Sequence, residues 1–204
     1  MGKAKGILIA AVVLVVIVIA GFSWVKGSYN TMVGLDEGVK SAWSQVENQY
    51  QRRADLIPNL VNTVKGYAEH EKGTLEAVIN ARAKATSVTI NPGDLNAETL
   101  QRFQDAQGEL SGALSRLMVV MERYPDLKAN ENFRDLQAQL EGTENRIAVE
   151  RKRFNETAQT YNTAIRSFPT VILAGVFNFS QRPYFAAESG AQKAPTVDFS
   201  GSQQ

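Results

Sequence analysis

The residues in this chain whose order most resembles catalytic chemistry are His70 and Glu71, in the run HEKGT. A His-Glu pair on a helix opens the motif with which zinc proteases set two imidazoles one turn apart, with the glutamate as general base. Here the second imidazole is missing, His70 is the single histidine of 204 residues, and there is no cysteine. A zinc site needs three or four nitrogen, sulfur or carboxylate ligands. Multi-histidine and thiolate sites are therefore excluded, and the pair reads as a polar helix-end position. Glu144, Glu150 and Glu156 offer carboxylates for acid–base work, which requires groups converging in a pocket with shifted pKa values. They are interleaved with Arg146, Arg151 and Arg153, the pattern of a solvated helix face. No phosphate-cradling glycine loop and no nucleophile elbow is present. The expectation is a protein that is not an enzyme, with no metal and no other cofactor.

Two groups of residues suit binding instead. Arg52, Arg53, Asp55 and Asn59 cluster around Pro58. One reading pairs Arg52 with Asp55 on a helix surface and lets Asn59 cap the segment after the proline. The other makes the cluster a docking site for a protein or an anionic headgroup, because guanidinium groups match carboxylate and phosphate geometry; Lys65, Tyr67 and Glu69 lie close enough to contribute. The second group is the apolar run TVILAGVFNF with the residues around it, from Phe168 to Phe185. Val171, Ile172, Leu173, Val176 and Phe177 either cover one end of a bundle or meet the membrane interface or another subunit. Phe177, Phe179, Tyr184 and Phe185 suit both roles.

The elements that must position these groups begin with a membrane anchor. From Ile7 to Val25 the sequence is uncharged and carries one hydroxyl, Ser23. Roughly 20 apolar helical residues cross the hydrocarbon core of a bilayer. Lys3 and Lys5 flank one side; Trp24 and Lys26 stand at the other, where amphipathic rings and snorkelling lysines are favoured. Val18-Ile19-Ala20 would pass as a signal-peptide cleavage site, but the apolar run continues through Phe22, Trp24 and Val25, longer than a usual signal core. The flanking charges lean towards an N-terminus in the cytoplasm and the remainder outside.

After the anchor, helical periodicity dominates. Asn30 or Thr31 is a candidate cap for a helix with Leu35, Val39, Trp43, Val46 and Tyr50 on one stripe. Pro58 predicts a break or kink near Asp55–Ile57. The pattern resumes at Leu60, Val61, Val64, Tyr67 and Ala68, then Leu75, Val78 and Ile79. Residues 87–96 read as a connector, with Asn-Pro-Gly-Asp turn chemistry and Asn96 as the next cap. Leu100, Phe103, Leu110, Leu114, Leu117 and Met121 then share a face that ends at Tyr124-Pro125-Asp126. The longest stripe is Phe133, Leu136, Leu140, Thr143, Ile147, Glu150, Phe154, Ala158, Tyr161 and Ile165, ending before Phe168-Pro169. The fold expected is all-α: residues 1–28 an anchor, 29–185 an elongated antiparallel bundle of about four helices, and 186–204 a flexible tail. The Gly-, Ser- and Gln-rich composition that reads as flexible begins as early as Gln181, with a short extended piece at Pro195–Phe199.

The run YNTMVGLDEGVKSAWSQVENQYQRRADLIPNLV and its HE pair resemble the opening of the LemA family. The resemblance continues through LSRLMVVMERYPDLKANENFRDLQAQLEGTENRIAVERKRFNETAQTYNTAI and closes on SFPTVILAGVFNF and RPYF, so it covers residues 29–185. Phe154 departs from the tyrosine that fits the family pattern. The resemblance implies a bacterial membrane protein with one spanning helix and a long helical bundle, and it implies no activity. With 22 basic and 21 acidic residues intermixed, nucleic acid is not an expected partner. The partners expected are the lipid bilayer, through residues 7–25, and further copies of the chain or other membrane proteins. The role expected is assembly or scaffolding in a bacterial inner membrane; the alternative is an envelope sensor or adaptor acting through the polar region near Pro58.

Overall fold

The computed structural model describes residues 2–186, and these form six α-helices and no strand. Helix α1 (Gly2–Lys65) is a single 64-residue helix, about 96 Å long at 1.5 Å per residue. Its first part, through residue 24, is exposed at every residue whose side chain is described. It is the one helix among the described residues that is long and apolar enough to cross a membrane. A 3₁₀ turn at Glu69–Glu71 leads into α2 (Lys72–Ser87), and a second at Pro92–Asp94 leads into α3 (Ala97–Met121). The short α4 (Pro125–Ala129), the 36-residue α5 (Glu131–Arg166) and α6 (Thr170–Val176) complete the helices.

Contacts along the chain fix an up-down-up-down order. Lys84 meets Glu109, and Glu71 meets Arg123, so α2 and α3 are antiparallel. Arg53 meets Glu144 on α5, and nearer the N-terminus of α1, Met32 shares a core with Ile165. A rod as long as α5 needs a partner of equal length, and residues 32–64 of α1 supply it. Asn96 starts α3 as expected, its side chain accepting from Thr99 N–H while Thr99 Oγ1 accepts from Asn96 N–H, a reciprocal capping box. Asn130 caps α5 through the Phe133 amide.

Two expectations about α1 are overturned. The helix does not start at Asn30 or Thr31; it runs unbroken from the anchor, and Thr31 Oγ–H donates back to the Gly27 carbonyl. Of the break or kink expected at Pro58, the break does not occur: the helix continues through the proline. Proline removes the amide that would bond the carbonyl four residues earlier, which is that of Ala54. The orphaned carbonyl is taken by Arg82 on α2, whose Nε–H donates to it at 2.7 Å. A side chain from the neighbouring helix thus satisfies the acceptor that would otherwise be left bare in a half-buried seam.

A third expectation is overturned at the C-terminal end, where residues 181–186 do not belong to a tail. They form an extended strap along α5. Asn162 accepts from Arg182 N–H at 2.8 Å and donates to its carbonyl at 2.8 Å. Asn155 does the same with Phe185, at 2.8 and 3.1 Å. Seven helical residues rise about 10.5 Å and three extended ones cover about 10 Å, so the two asparagines match the strap's spacing. Residues 187–204, including the piece at Pro195–Phe199, lie outside the described residues.

Candidate functional site

Two places in the bundle gather polar or apolar side chains beyond what a helical seam requires. The first is a polar layer at mid-height. Positions 46, 50, 53 and 57 of α1 fall on one face, and three of them are apolar core; the fourth is Arg53, whose side chain is only 2% exposed. Its Nη1 donates to Ser111 Oγ (2.8 Å) and to both oxygens of Glu144 (2.9 Å each). Its Nη2 donates to Gln107 Oε1 at 2.7 Å and to the Gln107 carbonyl at 3.3 Å. Gln107 Nε2 in turn donates to the Ala85 carbonyl. The guanidinium also lies 5.1 Å from the centre of the Tyr50 ring. Arg53 Nε is buried with no partner, so the side chain is held entirely by its fork end. Burying a charge is tolerable only when it is paired and hydrogen-bonded; Glu144, 52% exposed, supplies the countercharge from the rim.

This arrangement divides the polar cluster read from the sequence. Arg52, Asp55 and Asn59 lie on the exposed face of α1, while Arg53 points inward. Asp55 accepts from Gln51 Nε2 at 2.8 Å, so it is held from one turn back and not by Arg52. Asn59 caps nothing, because no helix begins there; its carbonyl accepts from Thr63. Tyr67 lies apart near the end of the hairpin, where its hydroxyl accepts from Asn130. Glu144 is likewise not just part of a solvated face. An open groove of about 380 Å³ crosses this layer between α3 and α5, lined among others by Arg53, Leu114, Met118, Leu140 and Glu144.

His70 is exposed in the 3₁₀ turn, and Glu71 accepts from Arg123 Nη2 and Tyr124 Oη. That hydrogen bond, with burial second, raises the Tyr124 hydroxyl above its ordinary pKa. Among the described residues no three His, Cys, Asp or Glu side chains gather as metal ligands would.

The second place is the end of the bundle nearest the apolar segment of α1. Helix α6 turns Leu173 and Ala174 inward, while Phe168, Val171, Ile172 and Val176 face out. Asn178, at φ 58°, ends it in the left-handed conformation that asparagine tolerates. The rings of Phe177 and Phe179 then pack edge-on against Tyr29 of α1, at 4.8 and 5.8 Å. Phe185 is core: it stacks on Trp43 at 6.0 Å and meets Phe154 edge-on at 5.4 Å. Of the candidate residues in this segment, Val171, Val176, Phe177 and Tyr184 are exposed, Phe179 is half-buried and Phe185 is buried. Tyr184 Oη accepts from Asn162.

Arg182 ties the strap to α1, its Nη2 2.7 Å from Asp36 Oδ1, and Lys40 meets the other oxygen at 3.0 Å. Burial alone would push the Asp36 carboxyl up, but the hydrogen bonds and charges of Arg182 and Lys40 outweigh it and hold the pKa below its ordinary value. Tyr161, whose hydroxyl donates to the Ser180 carbonyl, is pushed up, first by burial and then by the charge of Asp36.

Asp36, Gln107, Asn155, Asn162 and Arg182 were not among the residues singled out from sequence, and Glu144 was read there as part of a solvated face. Gln107 and Asn162 had a visible signal, since each stands on an apolar stripe, as Arg53 does, and a polar residue at a core position calls for a partner. The others are placed by tertiary contacts that no local pattern specifies.

A helical bundle built on a membrane-type helix defines an all-α, membrane-associated protein. Residues 42–199 match the model of the LemA family, and the chain belongs to that family. Among curated proteins it is similar to magnetosome proteins MamQ 1 and MamQ 2 of Paramagnetospirillum magneticum. Each is 28% identical over an alignment covering 91% of this chain and 74% of the relative. It is also similar to magnetosome protein MamQ of Magnetospirillum gryphiswaldense, at 27% identity over 77% of this chain and 64% of that one.

Proposed function

We propose that this protein is a non-catalytic scaffold of the bacterial inner membrane, which associates with itself or with other membrane proteins while its bundle projects from the outer face. The observation that carries this reading is the continuity of α1: the apolar segment and the central strut of the bundle are one helix. A domain that acts on diffusing partners works well on a flexible tether. A jointless helix instead fixes the bundle's height and bearing relative to the bilayer, which suits a load-bearing or spacing role. The groove between α3 and α5 leaves Leu114 and Met118 partly exposed after the bundle closes, an opening into which a partner's side chains can pack. The names of the relatives point the same way, because they state a structure to which those proteins belong and no reaction.

Native mass spectrometry of the full chain in mild detergent tests the reading. A defined multiple of the 22.4 kDa chain, lost on replacing Leu114 and Met118 with glutamate, is the expected result. A monomer that captures no other membrane protein after in-cell crosslinking overturns it. A C-terminal reporter fusion active only in the cytoplasm would reverse the orientation.

The adaptor alternative keeps one supporting observation: Arg52, Asp55 and Asn59 form an exposed polar stripe on a rigid helix. If that stripe recruits a protease or signalling protein, reversing the charges of Arg52 and Asp55 abolishes crosslinking to it and leaves the native mass unchanged.

A further inference from the structure

The outward face of α6 is apolar and continuous. Phe168 is 82% exposed, Ile172 59% and Val176 68%, with Val171 beside them. Residues 168–180 contain no charge; exposed Arg166 precedes them by two residues, and exposed Lys26 lies about one helical turn before Tyr29. Isolated apolar side chains on a surface need no explanation, but a contiguous group marks a contact.

Its position says with what. Phe177 and Phe179 pack on Tyr29, which lies four residues past Val25, about 6 Å further along the helix. The headgroup region on each side of a bilayer is about 5–8 Å thick. If residues 7–25 span, α6 is therefore held at headgroup level, on the same side of the membrane as the bundle. At seven helical residues it is too short to cross. From these observations we propose that α6 and the preceding Phe168 lie in the bilayer interface as a second, peripheral membrane contact. Phe168, Val171, Ile172 and Val176 enter the acyl boundary, Trp24 and Tyr29 stand at the same level, and Arg166 and Lys26 reach lipid phosphates. The contact goes beyond the scaffold reading: it fixes how the bundle leans against the membrane whatever the bundle assembles with.

The chain has no cysteine, so single cysteines can be placed and labelled with an environment-sensitive fluorophore in the full-length protein. Labels at Val176→Cys and Ile172→Cys are compared with Val119→Cys, equally exposed but on α3 in the far half of the bundle, and with Val15→Cys in the span. The carrier is a nanodisc of phosphatidylcholine and phosphatidylglycerol holding one chain per disc. The expected result is a blue-shifted label at 172 and 176, quenched several-fold more by shallow spin-labelled lipid than by iodide, with the reverse at 119. Iodide quenching at 176 equal to that at 119 overturns the proposal. Protection that appears only with several chains per disc also overturns it, in favour of a second copy on this face. An iodide-accessible label at Val15 would instead remove the span itself, a failure distinguishable from loss of the α6 contact alone.

Discussion

The half of the bundle nearest the span closes around aromatic rings and asparagine side chains, whereas the far half closes around aliphatic ones. Trp43, Tyr50, Phe103, Phe154, Tyr161 and Phe185 fill the near core; Ile57, Leu60, Val64, Val78, Leu110, Leu117 and Leu127 fill the far one, with Phe133 its one buried aromatic ring. The Arg53 layer lies between them. The contrast follows from how many helices are present at each height. In the far half, α1, α2, α3 and α5 surround a common core, and small interlocking aliphatic groups suffice. Below Trp43 the hairpin of α2 and α3 is absent. There α1 and α5 are covered by the connector carrying Ile90 and Leu95, by α6 and by the strap. Trp43 Nε1–H donates to the Ile90 carbonyl. Irregular backbone cannot satisfy itself as a helix does, so large rings and bidentate asparagines take over.

The largest change should come from Trp43→Ala, expected to cost about 3–5 kcal/mol, because it empties the near core at the point where connector, strap and α5 converge. Denaturant unfolding followed by circular dichroism would measure it. If Leu117→Ala in the far core costs more, the near half does not dominate stability.

Arg53→Met probes the boundary. It strands Gln107 Oε1 and leaves Glu144 without its partner, so a loss of about 1–3 kcal/mol is expected, limited by the exposure of Glu144. Replacing Arg53, Gln107 and Glu144 together with Met, Leu and Met should recover most of that loss and merge the two cores. A triple variant as unstable as the single one would show that the layer has a role beyond solvating itself.

Asn162→Ala removes the two bonds that hold Arg182 and one to Tyr184, and should weaken the strap by about 1–3 kcal/mol. Hydrogen exchange should quicken at the Arg182 amide with little change in the far core. Asn96→Ala, which removes the cap of α3, should cost about 1 kcal/mol and affect both halves alike.

The smallest effect is the pH dependence of the near half. The Asp36 carboxyl is lowered in the folded state, so its contribution is present above its ordinary pKa of 3.8 and is lost as pH falls through the folded value. Tyr161 is raised, so its contribution is present below its ordinary value of 10.0 and is lost as pH rises through the folded value. Thermal melts of the wild type and Asp36→Asn should draw together as pH falls from 3.8 through the lower folded value, because only the wild type loses a carboxylate there.

The helical stripes were legible because their spacing is repetitive: Val39, Trp43, Val46 and Tyr50 on α1 are buried as their intervals predicted, and so is the stripe from Phe133 to Ile165 on α5 except at Leu136 and Glu150, which are half-buried. Local rules failed where a distant residue supplied the missing half. Pro58 reads as a break until Arg82 is placed beside Ala54. Arg53 reads as surface until Gln107 and Glu144 close around it. The sequence after Gln181 reads as tail because the composition of residues 181–186 says nothing of Asn155 and Asn162, two turns apart on another helix.

The jointless α1 also makes the molecule a lever. About 40 residues lie beyond the span, an arm of about 60 Å. Transmembrane helices tilt by about 20° on average to match bilayer thickness, and with a stiff arm that tilt carries the tip roughly 20 Å sideways. A change of a few ångströms in membrane thickness is thereby converted into a much larger displacement at the far hairpin, with α6 resting near the fulcrum.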